Sequence, residues 1–175
     1  MARDVVVLGI PHSIQGAQRR KGNIDDPSYA DLLRILIEHN HIDFIFEEAS
    51  GMGPTTAQCL ADSLLGGCYL DVDATPQEKR SHGISERTGA CYLIDPCSTH
   101  NPPDAACWEA IHDHSKREGV WIEKMRQQDF GSALFICGML HCLAFCYRLE
   151  AAGIQPKELH HYSPHHKLCK RPHSG

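Results

Sequence analysis

The chain has 175 residues, 42% of them apolar and 22% charged, with a formal net charge of −5. That length suits one domain with a real core, and the composition is that of an ordinary globular protein. The basic residues are scattered apart from Arg19-Arg20-Lys21 and a weakly basic tail, which gives nucleic acid no footprint, and the apolar runs fall far short of the ~18–20 residues of a membrane span.

Val5-Val6-Val7-Leu8, near the start, is continuously apolar and β-branched, the pattern of a strand buried on both faces. It runs into Gly9-Ile10-Pro11-His12. After a glycine-containing loop, Asp26-Pro27 opens a helix, with Asp26 as N-cap and Pro27 at the first helical position; Leu32, Leu33, Leu36 and Ile37 form its apolar stripe. "IDFIFEE" is a second strand ending in Glu47 and Glu48. "TTAQCLADSLLGG" is a second helix, starting near Pro54 or Thr55 and stopped by Gly66-Gly67. "CYLDVDA" is a short third strand ending in Asp71 and Asp73.

Residues 75–103 carry several prolines and glycines and few apolar repeats. They read as a long excursion with one helical turn, of a length that is usually functional or mobile. A long helix follows, from about Asp104 to Gln128, with Trp108, Ile111, Ser115, Glu118, Ile122 and Met125 along one side. "SALFICG" is the next strand and leads into Gly138-Met139-Leu140-His141, repeating the spacing Gly-x-x-His. "HCLAFCYRLEAAG" is a helix stopped by Gly153, and "KELHHYS" a last strand. The alternation predicts an α/β three-layer sandwich with a mainly parallel central sheet. One domain spans 1–163, and 164–175 is a polar tail of the kind that stays disordered.

The start, "MARDVVV", lacks the apolar segment and cleavage site of a secretory signal, so a cytoplasmic setting is expected. There are nine cysteines. Cys59, Cys107, Cys137, Cys142 and Cys146 lie in apolar periodic segments and read as reduced, small core residues. Cys142 and Cys146 are one helical turn apart, but no second pair completes a zinc ribbon.

In a parallel α/β sheet the strand C-terminal ends share one rim, where ligands bind. His12, Glu47, Glu48, Asp71, Asp73 and His141 all fall at such ends. Side-chain alternation lets only one of Glu47 and Glu48 face the site. These histidines and carboxylates have three uses: ligating a divalent metal with a position left for water, acting as general base and acid without metal, or forming a structural hydrogen-bond network. A glycine ahead of each histidine allows a sharp turn and brings backbone N–H groups near a ligand. Arg117 is the cation expected at the rim, holding a carboxylate or an anionic substrate; a solvated helix residue is the bland alternative. Arg80 and His82 are read either as part of a lid or as a polar loop. The histidine-rich tail could bind soft metals. Cys142 directly after His141 invites a Cys–His nucleophile, but adjacent residues at a helix start point apart.

With a glutamate between the two Gly-x-x-His motifs and Arg117-Glu118 on the helix before the second, the chain resembles the TraB/Tiki superfamily. That group includes pheromone-shutdown proteins, Wnt-cleaving metalloproteases, erythromycin esterases and haem-binding lipoproteins. The resemblance implies a hydrolase using His12, Glu47 or Glu48, His141 and Arg117. Either a divalent metal (Mn, Co, Zn or Fe) sits on His12, Glu48 and His141, or histidine and glutamate act directly on water. The implied substrate is a small molecule or a peptide. The alternative on the same fold is a non-catalytic module holding a metal, haem or a small anion.

Overall fold

The structure, a computed structural model, describes residues 3–11, 14–15, 27–49, 53–85 and 105–162, with side chains of the last stretch described from residue 112 onward. His12, Asp26, residues 86–104, the side chains of Cys107, Trp108 and Ile111, and the tail from 164 lie outside the described residues.

The elements follow in the order β1 (Asp4–Ile10), α1 (Pro27–His39), β2 (Phe44–Glu47), α2 (Thr56–Leu64), β3 (Tyr69–Asp71), α3 (Pro76–Ser81), α4 (Ala105–Arg126), β4 (Ser132–Gly138), α5 (Cys142–Ala151) and β5 (Gln155–His161). The five strands form one sheet in the order β3-β2-β4-β1-β5, and every neighbouring pair is parallel.

Two apolar clusters explain the three layers. Val6, Leu8 and Ile10 of β1, Ile45 of β2 and Leu134 and Ile136 of β4 pack against Leu33, Leu36 and Ile37 of α1 and Ala57, Leu60 and Ala61 of α2. The alternate residues, Val5, Val7, Phe46, Ala133, Phe135 and Cys137, pack against Trp121, Ile122 and Met125 of α4 and Phe145, Cys146 and Leu149 of α5. The period-2 alternation of strands thus sorts each strand between two helical layers, and burial on both faces explains why β1 and β4 read as unbroken apolar runs. Among the described residues no helix is long and apolar enough to cross a membrane.

Three local readings are refined. Thr55 is the N-cap of α2, its Oγ1 accepting the Gln58 N–H at 3.0 Å. The excursion after β3 contains a capped helix: Thr75 and Glu78 close a capping box around Pro76, with Pro in the first turn, the mechanism that stabilises so short a helix. Cys59 is exposed, not a core residue, because the buried stripe of α2 is Ala57, Leu60 and Ala61 and position 59 falls on the outer side.

The crossovers place the rim. From β1 the chain goes to α1 on one face of the sheet, and from β4 to α5 on the other. β1 and β4 are adjacent, with Ile10 beside Gly138. Their C-terminal ends are therefore the topological switch point, the place where open α/β sheets bind ligands, and both Gly-x-x-His motifs begin there.

Candidate active site

β2 carries Glu47 and Glu48 to this rim and its alternation sends them to opposite faces. Glu47 turns toward α1 and α2 and is fully buried. Its carboxyl accepts from Gln15 Nε2 at 3.1 Å, Thr55 Oγ1 at 2.5 Å and Tyr69 Oη at 2.9 Å. Burial pushes its pKa up to about 7 against the pull of these hydrogen bonds. Gln15 also donates to the Glu48 carbonyl at 3.0 Å and accepts the Thr56 N–H at 2.9 Å through its own carbonyl. The Ile14-Gln15 turn is thus stitched to the start of α2.

Glu48 turns toward α4. Its Oε1 is 2.6 Å from Arg117 Nη2 and its Oε2 accepts the Gly138 N–H at 2.9 Å. Arg117 reaches in from α4 and also donates to Asp73 Oδ1, from Nη2 at 2.7 Å and Nε at 3.3 Å. Lys79 of α3 stands 3.7 Å from the other Asp73 oxygen. Burial works against the Arg117 charge, but Glu48 and Asp73 outweigh it and hold the guanidinium above its ordinary pKa. Asp71 shapes the backbone instead, its Oδ1 accepting the N–H groups of Ala49 and Asp73 at 3.1 and 3.0 Å, the turn-capping role open to a strand-end aspartate. Arg80 and His82 are exposed at the end of α3; Lys79 is the residue of that helix that reaches the cluster.

His141 occupies the N-cap position of α5, yet its side chain makes no capping hydrogen bond. The ring turns instead to α4, where Nδ1 lies 2.8 Å from Glu118 Oε1. The second oxygen of Glu118 accepts from Arg148 Nε at 2.7 Å, and Arg148 also donates to Ser115 Oγ. A carboxylate held by arginine can only accept from imidazole, which assigns the proton to Nδ1 and leaves Nε2 as an acceptor. Nε2 is 3.9 Å from Glu48 Oε1. The ring is clamped between His114, stacked at 4.4 Å, and the edge of Trp121 at 4.9 Å.

His141, Glu48, Arg117, Asp73 and Glu118 therefore meet in one buried cluster, and Glu47 lies across the sheet from it. The part of Gly9 and Gly138 differs from expectation. Both are inside strands and neither is among the left-handed glycines. Gly138 serves through its N–H on Glu48; Gly9 permits close approach, since a Cβ there would lie 2.3 Å from Cys142 Sγ.

Glu48 already binds a guanidinium and a backbone N–H, so a dication on it would sit against Arg117. Among the described residues no group of three His, Cys, Asp or Glu side chains is arranged to hold a metal ion. The described donors thus do not fit the implied metal, and His12, its third ligand, lies outside them.

Sequence reading missed His114 and His161. His114 precedes Arg117 by three residues and Glu118 by four, the spacing of one helix face, which was the available signal. Burial and then His141 lower its pKa. His161 ends β5 beside Gly9 and supplies the neighbour of Cys142 that adjacency to His141 could not. The Cys137 S–H, against the effect of burial and with help from His161, holds the Cys142 thiol below its ordinary pKa. No family model, curated protein or solved structure matches the chain, so the TraB/Tiki resemblance rests on the motifs alone.

Proposed function

We propose that the chain is a small cytoplasmic hydrolase of the TraB/Tiki type, in which His141 activates water for attack on a small-molecule or peptide substrate. The observation that carries this reading is the relay Arg148–Glu118–His141, with 2.7 and 2.8 Å contacts, ending on an imidazole nitrogen 3.9 Å from Glu48. Glu118 fixes the tautomer and orientation of the ring and stabilises the imidazolium formed when Nε2 takes a proton. The 3.9 Å gap to Glu48 lets one water hydrogen-bond to both groups. Arg117 fixes Glu48 and brings positive charge beside the site, where an oxyanion develops during hydrolysis. His12, two residues beyond β1 in the chain, is proposed as the second histidine of the site.

A binding module of the same fold is the second reading, favoured by the near-complete burial of His141 and Glu48, 4% and 1% exposed. The separating experiment is a screen of ester, amide and phosphoester substrates before and after chelation. Direct water activation predicts turnover that survives chelation. Turnover lost to the chelator and restored by Mn, Co, Zn or Fe would overturn it in favour of a metal on His12, Glu48 and His141. Absence of turnover on every substrate, with a ligand bound, would favour the module.

A further inference from the structure

One cluster of nucleophilic side chains takes no part in the hydrolytic reading. Cys142, the first residue of α5, rests against β1 at Gly9. A Cβ at Gly9 would lie 2.3 Å from Cys142 Sγ, 3.0 Å from His161 Nδ1 and 3.3 Å from Met139 Cα, so sulfur and imidazole crowd one spot that only glycine leaves open. On its other side, Cys142 Sγ is 3.7 Å from Cys137 Sγ. Both cysteines are fully buried, yet the turn above them carries Met139 and Leu140 in solvent, 43% and 56% exposed.

We infer that Cys137 and Cys142 form a dithiol that a small peroxide oxidises to a disulfide, with His161 beside the attacking sulfur. Cys142 is the attacking thiol because of its place in the fold. It opens α5 with its S–H 3.7 Å from the Gly138 carbonyl and shares the space over Gly9 with His161 Nδ1, an imidazole able to take up its proton. Cys137 is in β4 among apolar neighbours such as Val7, Phe135 and Phe145 and has no such support.

The Cys142 thiolate attacks one peroxide oxygen. An S–O bond forms, the O–O bond breaks, and hydroxide or alkoxide leaves and takes up a proton. The Cys137 thiol then attacks the sulfenic sulfur: the S–S bond forms, the S–O bond breaks, and the Cys137 proton leaves with the hydroxide as water. Two thiols are oxidised and one peroxide is reduced. The sulfurs close from 3.7 Å to the ~2.0 Å of a disulfide. Full burial selects the oxidant, since a peroxide can pass where a glutathione-sized disulfide cannot. The chemistry stands apart from the hydrolytic reading. Its consequence rests on that reading: Cys142 directly follows His141, and Cys137 precedes Gly138, whose N–H holds Glu48, so the new bond displaces both groups.

The test is mass spectrometry on the intact folded chain after stoichiometric hydrogen peroxide, then alkylation of free thiols in denaturant and trypsin digestion. The peptide 127–148 contains Cys137, Cys142 and Cys146. It is expected to lose the mass of two hydrogens, keep Cys146 alkylated and return to its starting mass with dithiothreitol. Glutathione disulfide should give far less of this product. Cys137→Ser should stop at a sulfenic acid on Cys142, trapped by a 1,3-diketone, while Cys146→Ser behaves as wild type. Free Cys137 and Cys142 in the peroxide-treated wild type, or a bond from either to Cys146, would overturn the inference, and neither readout depends on hydrolysis.

Discussion

The carboxyl of Glu47 is buried among three hydrogen-bond donors and, among the described residues, forms no ion pair, whereas that of Glu48, one residue on, shares Arg117 with Asp73. A carboxyl whose folded pKa is about 7 against an ordinary 4.5 binds its proton more tightly in the folded chain. Its contribution to stability is complete below about pH 4.5 and is lost as pH rises toward 7. Glutamine keeps the shape and hydrogen-bonding reach but cannot titrate. Between about pH 5 and about pH 8, wild-type unfolding free energy is predicted to fall by on the order of 2–3 kcal/mol more than that of Glu47→Gln. Urea unfolding at the two pH values measures this, and parallel pH dependence in the two proteins would show that Glu47 does not titrate in this window. That the glutamates would diverge was legible from strand alternation. Which one joins the cluster was not, because it depends on Arg117 and Asp73, which come from elements far apart in sequence.

The contact of β1 with α5 shows how one missing side chain positions an element. Gly9 faces α5, and the Cys142 sulfur takes the place a Cβ would occupy. Alanine at Gly9 must push α5 away or distort β1, an overpacking cost of ~1–3 kcal/mol. In a Cys142→Ala background the severest clash, with the sulfur at 2.3 Å, is removed while His161 Nδ1 at 3.0 Å and Met139 Cα at 3.3 Å remain, and Gly9→Ala is expected to cost distinctly less. A double-mutant cycle by chemical denaturation should give a coupling of ~0.5–3 kcal/mol between the two sites; additive costs would mean that the sulfur is not what requires glycine. Element types were readable because β-branched runs, apolar periods and glycine stops agreed along the chain. β4, read as "SALFICG", spans Ser132–Gly138 as expected. The capped helix α3 was less legible: its stabilising features are the local Thr75 and Glu78 bonds, and it buries no residue that would leave an apolar period.

At the scale of the whole molecule, the strand order decides where chemistry can gather. β1 and β4 are 122 positions or more apart in the chain yet adjacent in the sheet, and their outgoing connections leave to opposite faces. The parallel class was legible from alternation of strands and helices, but the order β3-β2-β4-β1-β5 was not, since the apolar runs of β1 and β4 carry no label of their neighbours. The repeated Gly-x-x-His nevertheless marked the two strands that meet at the switch point. The cluster joins elements on one side of the sheet: α4 supplies Glu118 and Arg117, α5 supplies Arg148, and the β4–α5 turn supplies His141. The most direct measurement of the central claim is kcat/KM, with a melting curve on each protein, for wild type, His141→Gln and Glu118→Gln on a substrate that the wild type hydrolyses. The account predicts that His141→Gln loses ~10²–10⁴-fold, the worth of a general base, with Glu118→Gln impaired in the same direction and both proteins still folded at the assay temperature. Wild-type turnover in a folded His141→Gln protein would contradict it.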